Sequence, residues 1–201
     1  MAGRISREEI LVVAIQLFSA AGYSGVSMRD IARACHLNVG SLYHHFSDKQ
    51  QLHMAATQQV FADRSSRLLS ALESSESPRE QLKNLITVLC QLLDEDQTFL
   101  RLVQRELLDG DEVRLKYLAE QVFGEITATL NRLCRQLSPS LDPGLLTHTI
   151  IGTILQLFHS APLRRHLPGF QPEHLQPEVI SQHVQILLFS GIDHTHSRGS
   201  L

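Results

Sequence analysis

Four helix-start signals crowd into residues 6–48, and they constrain the fold more than any other feature of the chain. Ser6-Arg7-Glu8-Glu9 is a capping box, in which the Ser6 hydroxyl accepts from the amide three residues on and Glu9 reaches back. Ile5 and Ile10 sit where a hydrophobic staple needs them. Ser27 is followed three residues later by Asp30, with Val26 and Ile31 as staple. Asn38 stands between Leu37 and Leu42. Asp48 is followed three later by Gln51, and Leu52 opens a new apolar stripe. One such match is weak evidence, but four in succession predict helices over about 6–21, 27–34, 38–45 and 49–73.

The two middle helices are about two turns each, joined by Cys35-His36-Leu37, and short helices so joined form a helix-turn-helix. His36 falls where the earlier helix must end, a position that often demands positive φ; His is among the side chains that tolerate it. Further on, Glu73 to Pro78 reads as a linker. Helices are then expected over Leu82–Leu93, over Phe99–Leu108 up to Asp109-Gly110-Asp111, and as one long run over about 112–137. Two more follow over about 142–160 and 177–191, separated by a proline-rich loop and followed from 193 to 201 by a polar tail expected to be disordered. No strand-like alternation lasts, so the expected fold is all-α, with about nine helices: a helix-turn-helix unit over 5–50, a linking helix over 49–73 and a larger helical domain over 78–191.

Composition narrows the class. Hydrophobic residues make up 43% and charged residues 19%, which is globular rather than disordered. No run of about 18 apolar residues exists, so no membrane span is expected. The start leads into a charged segment, so no secretory signal is expected. Cys35, Cys90 and Cys134 show no C-x-x-C spacing and fit buried thiols in a reducing compartment; the cytoplasm is the expected location. Net charge is −3, but residues 1–50 carry five basic and four acidic side chains, against 13 and 17 in the rest. The segment 145–158 is apolar nearly all round. It is expected to pack one side on its own domain and the other on a partner chain, the alternative being a central core helix in a monomer.

Residues 27–49, SMRDIARACHLNVGSLYHHFSDK, resemble the helix-turn-helix of the TetR family of bacterial transcription regulators at Ile31-Ala32, Leu37, Gly40, Leu42-Tyr43, Phe46 and Lys49. Phe18 and Gly22-Tyr23 fit the same pattern. The resemblance implies a homodimer that binds a palindromic double-stranded DNA operator, a small-molecule ligand in the C-terminal domain, a dimer interface through helices at about 142–160 and 177–191, and repression by default. It implies that ligand binding moves the fourth helix and re-spaces the two DNA-reading heads. Carried over by position, it implies base-reading by Arg29, Val39, Gly40, Ser41 and His44, and phosphate contacts by Ser27, Tyr43, His45 and Lys49. Met28 and Val39 depart from the family: the first stands where a hydroxyl is common, and the second offers only apolar contact at a commonly polar position.

The residues read in the same direction on their own. Leu42 and Phe46 point to a core, Gly40 leaves room for a close approach, and Ser41 and His44, three apart, share the outer face. Lys49 starts the fourth helix, where amides and dipole favour a phosphate. Other classes compete less well. His44-His45 has no partner four residues away, which argues against a metal site or a metal-sensing regulator. There is no phosphate loop or nucleophile elbow, so no enzyme is expected, and no cofactor beyond an effector. A helical protein-binding adaptor remains as an alternative. For a ligand pocket, the polar residues Gln91, Gln104, Thr127, Asn131, His148 and Gln156 lie among apolar helices.

Overall fold

The computed structural model describes residues 5–73 and 77–198. Among these the chain is all-α, with no strand. The first helices are α1 (Arg7–Ala21), α2 (Met28–Ala34), α3 (Val39–His45) and α4 (Lys49–Glu73). Each start signal is made as bonds. Ser6 and Glu9 form the full capping box, and so do Ser27 and Asp30. Asn38 Oδ1 accepts from Ser41 N at 2.7 Å. Asp48 accepts from Gln51 N at 2.7 Å, but the Gln51 side chain reaches back to Ser47 N rather than to Asp48. His36 has φ 54°, the one non-glycine residue with positive φ among those described, and it ends α2 as the spacing requires.

The remaining helices are α5 (Pro78–Glu95), α6 (Gln97–Asp109), α7 (Glu112–Tyr117), α8 (Gly124–Leu137), α9 (Pro143–His159), the short α10 (Ala161–Arg164) and α11 (Pro177–Arg198). The single long helix expected over 112–137 is instead broken: α7 passes into a π-helical turn, Leu118–Val122, and α8 begins at Gly124. Glycine is the weakest helix residue of that run, and a π turn adds one residue per loop without proline to announce it. The proline-rich loop holds α10 and a 3₁₀ turn, Pro172–Leu175. The polar residues from 193, expected to be a disordered tail, continue the α11 backbone as far as Arg198, since no proline or glycine follows Gly191 before that point; 199–201 lie outside the described residues.

Two compact units result. One extends to Arg64 and takes in Gln97–Val122; the other runs from Ser65 to Asp96 and resumes at Phe123. Helices α6 and α7 therefore group with the helix-turn-helix, not with the C-terminal helices among which the sequence reading set them. The reason is packing at long sequence separation: α6 lies against α1. The first unit buries Ile10, Ala14, Phe18, Ile31, Leu42, Phe46 and Leu52, with Phe61 and Phe99 ring centroids 4.7 Å apart. The second buries Leu82, Leu85, Ile86 and Leu93 of α5 against α8, α9 and α11. Thr87, Ser181 and Gln185 form a polar ladder between α5 and α11, with bonds of 3.0–3.1 Å. No helix among the described residues is long and apolar enough to cross a membrane.

Candidate nucleic-acid interface

Helices α2 and α3 pack against each other through Ile31, Ala32, Leu42 and Phe46, all buried. That packing turns the opposite sides of both helices outward. Arg29, Gly40, Tyr43 and His44 are exposed, while Val39, Ser41 and His45 are half-buried. A side chain at Gly40 would meet nothing but Asn38 Oδ1, 3.3 Å from an added Cβ, so the outer side of the helix start is open. Five of the sequence-predicted residues, Ser27, Arg29, Val39, Tyr43 and Lys49, line one cleft at the junction of α2, α3 and α4. Gly40, Ser41, His44 and His45 do not line that cleft and lie along α3. The arrangement suits a polyanion: a row of donors and an aromatic hydroxyl on a short helix whose backbone is unobstructed at its start.

Two of the residues expected at phosphates already have partners within the protein. The Lys49 ammonium donates to Tyr23 O at 2.8 Å and Val26 O at 2.9 Å and lies 4.1 Å from the Tyr23 ring centroid. Burial, and secondarily the Arg114 charge, lower its pKa. Two of its three hydrogens thus tie α4 to the α1–α2 loop, because those loop carbonyls have no helical amide to accept from. Ser27 is similarly committed: its amide and its hydroxyl both donate to Asp30 Oδ2, at 3.0 and 2.5 Å. These hydrogen bonds, from the backbone more weakly than from the hydroxyl, hold the Asp30 carboxyl below its ordinary value.

Sequence reading missed a buried charged cluster beneath this surface. His53 of α4 and Glu106 of α6 are each 2% exposed, with Nε2 3.0 Å from Oε1, an approach off the line of a directed hydrogen bond. Arg114 of α7 donates from Nε to the other Glu106 oxygen at 2.8 Å and pairs with Asp109 at 3.1 Å and Asp111 at 3.5 Å. Burial alone would raise the Glu106 carboxyl; the hydrogen bond from Arg114 and the closeness of His53 and Arg114 outweigh it and hold the group below its ordinary value. The local signal was slight: Asp109-Gly110-Asp111 read only as a helix stop.

Of the polar residues expected at a ligand pocket, Gln104 belongs to the first unit and the other five to the second. Gln104 is exposed on α6 in the first unit, and His148 and Gln156 are exposed on α9 in the second. Gln91, Thr127 and Asn131 are half-buried on α5 and α8. Among them Asn131 has a buried Oδ1 that makes no hydrogen bond, as does Nε2 of His159. All three cysteines are free and buried; burial, with the Glu178 charge, pushes the Cys90 thiol up to about 12. No group of three His, Cys, Asp or Glu among the described residues is placed to hold a metal ion.

A three-helix head whose third helix faces outward is the arrangement of a helix-turn-helix. Residues 10–64 match the family described as bacterial regulatory proteins, tetR family. The HTH-type transcriptional repressor DhaR of Mycobacterium sp. (strain GP1) is 28% identical over 164 residues, 75% of this chain and 81% of that protein. The chain spans only a third of the length of another match, the HTH-type regulator YuxN of Bacillus subtilis. Among solved structures, FadR from Bacillus subtilis in complex with stearoyl-CoA superposes with a TM-score of 0.76 over 92% of this chain and 99% of that one, at 18% identity. AibR in complex with isovaleryl coenzyme A and operator DNA superposes with a TM-score of 0.72 over 91% and 97%, at 23% identity. The family match covers residues 10–64, so the chain carries the DNA-binding region of the bacterial regulatory proteins of the tetR family.

Proposed function

We propose that the chain is a cytoplasmic, ligand-responsive repressor that binds a palindromic operator as a homodimer and releases it on binding a coenzyme A thioester. The observation that carries the DNA reading is the exposed face formed by Arg29, Gly40, Tyr43 and His44 on a packed α2–α3 pair. Arg29, Val39, Gly40, Ser41 and His44 read bases; Tyr43 and His45 reach phosphates. Homodimerisation is supported by an apolar groove between α9 and α11, lined by Leu146, Ile150, Val184, Leu187 and Ile192. Leu187, which lines the groove, is 58% exposed, a large apolar surface open to solvent in the single chain. The thioester is supported by the coenzyme A ligands of the FadR and AibR structures, and by the unpaired Asn131 Oδ1 and His159 Nε2 in the second unit. Repression is supported by DhaR. No other cofactor is invoked.

The test is selection of duplexes from a random pool by the purified chain, followed by gel shift of the retained sequence with free coenzyme A and with thioesters of graded chain length. A retained palindrome released by one thioester, and not by free coenzyme A, supports the reading. Retention of no duplex defeats it, and retention without release by any thioester defeats the effector class.

A further inference from the structure

The α1–α2 loop sets where α2 begins, and its own backbone gives little support to its carbonyls, with Val26 N reaching Tyr23 O at 3.4 Å. Cations from elsewhere in the first unit supply them. Lys49 takes Tyr23 O and Val26 O. Arg105 of α6 donates from Nε to Ser19 O at 2.9 Å and from a terminal nitrogen to Ala20 O. Helix α1 has no basic residue in its own last turn, so Arg105 also provides the charge that its negative dipole end favours. Gly22, at φ 75°, leaves room for it: an added Cβ would lie 3.3 Å from Arg105 Nη1.

Tyr23 is the centre of this arrangement. Its ring centroid lies 4.1 Å from Lys49 Nζ and 4.2 Å from Arg114 Cζ, and His53 meets it edge-on at 5.1 Å. Arg114 is itself fixed by Glu106, Asp109 and Asp111, one carboxylate to each guanidinium nitrogen. A desolvated guanidinium over a tyrosine face makes a stronger cation–π contact than an exposed one.

We propose that Arg114 is a positioning residue for DNA binding, acting through Tyr23 and Lys49 to hold the loop that sets the start of α2. It rests on the DNA-binding reading above but assigns a role to α6 and α7, which that reading leaves out. Arg114 is 6% exposed, so it touches no nucleic acid itself. Lysine cannot replace it, because a point charge cannot hold three carboxylates in a fork and stack at once.

The experiment uses the full chain and the duplex that the wild type retains from a random pool. Arg114→Gln, Arg114→Lys, Tyr23→Leu and the Arg114→Gln/Tyr23→Leu pair are compared at equal folded concentration, fixed by circular dichroism. Each single variant is expected to weaken binding about tenfold, 1.4 kcal/mol, and the pair to lose little more than either alone, since residues in contact are not additive. Where Arg114→Gln fails to fold, Glu106→Gln replaces it, keeping the shape and removing the clamp. Full affinity of folded Arg114→Gln or Glu106→Gln overturns the proposal and leaves the DNA reading standing, as do losses that simply add in the pair. A wild type that retains no duplex overturns both.

Discussion

Replacing Lys49 by methionine separates two roles for the most conspicuous cation of the helix-turn-helix. Methionine keeps the length and apolar stem of the side chain and removes the ammonium. The wild-type ammonium makes hydrogen bonds of 2.8 and 2.9 Å to two loop carbonyls and sits 4.1 Å from the Tyr23 ring centroid. Bonds to a charged group contribute about 1.5–3 kcal/mol each when well shielded. Lys49 is only half-buried, so the lower end applies, and water can reach part of the freed surface. With a cation–π contribution of about 0.5–1 kcal/mol at such a site, the expected loss is about 2–4 kcal/mol. For a chain of this size that is a fall in Tm of about 5–12 °C. The assay is thermal unfolding together with DNA affinity at several salt concentrations. A lost phosphate contact lowers the slope of log K against log salt by about 0.9, whereas loss of the loop tie lowers stability and affinity at an almost unchanged slope. Wild-type Tm with a slope reduced by about one would refute the assignment.

Three further outcomes follow from the same geometry. Because the folded Glu106 carboxyl lies below its ordinary value of 4.5, its contribution is fully present above that pH and is lost as pH falls through the lower folded value. The Tm gap between wild type and Glu106→Gln should hold steady above pH 5 and narrow below about 4.5; a gap that widens in acid contradicts this. His36→Val should cost about 1–2 kcal/mol, since a β-branched residue is poorly suited to φ 54°, while His36→Gly should be near neutral; equal costs in denaturant unfolding would argue against strain there. Leu187→Glu should convert a dimer to a monomer in sedimentation at micromolar concentration while leaving the helical spectrum intact; an unchanged dimer removes the α9–α11 groove from the interface.

What was legible in the sequence was local. Ser6 with Glu9 and Ser27 with Asp30 act across three residues and are found as read, and Asn38, read as a helix start, caps α3 through Ser41 N. His36 was legible for the same reason, since a three-residue connector leaves the chain few ways to turn. Lys49 was read for its place at a helix start, which is correct, but its ammonium is settled by carbonyls 23 and 26 residues away. Arg105 reaches back 85 and 86 residues, and Tyr23 meets Arg114 across a comparable span. No periodicity carries such pairings, so the grouping of α6 and α7 with the DNA-binding head was invisible. The break before Gly124 was missed because a π turn has no residue signature.

On the proposed function, the outer face of α3 reads DNA bases. The most direct measurement compares the duplexes retained from a random pool by the wild type, by Ser41→Ala and by His44→Ala. The account predicts a palindrome for the wild type and, for each variant, relaxed preference at one symmetric pair of base positions with the remainder of the site unchanged. Identical preferences in all three proteins, or retention of no duplex by any of them, would contradict it.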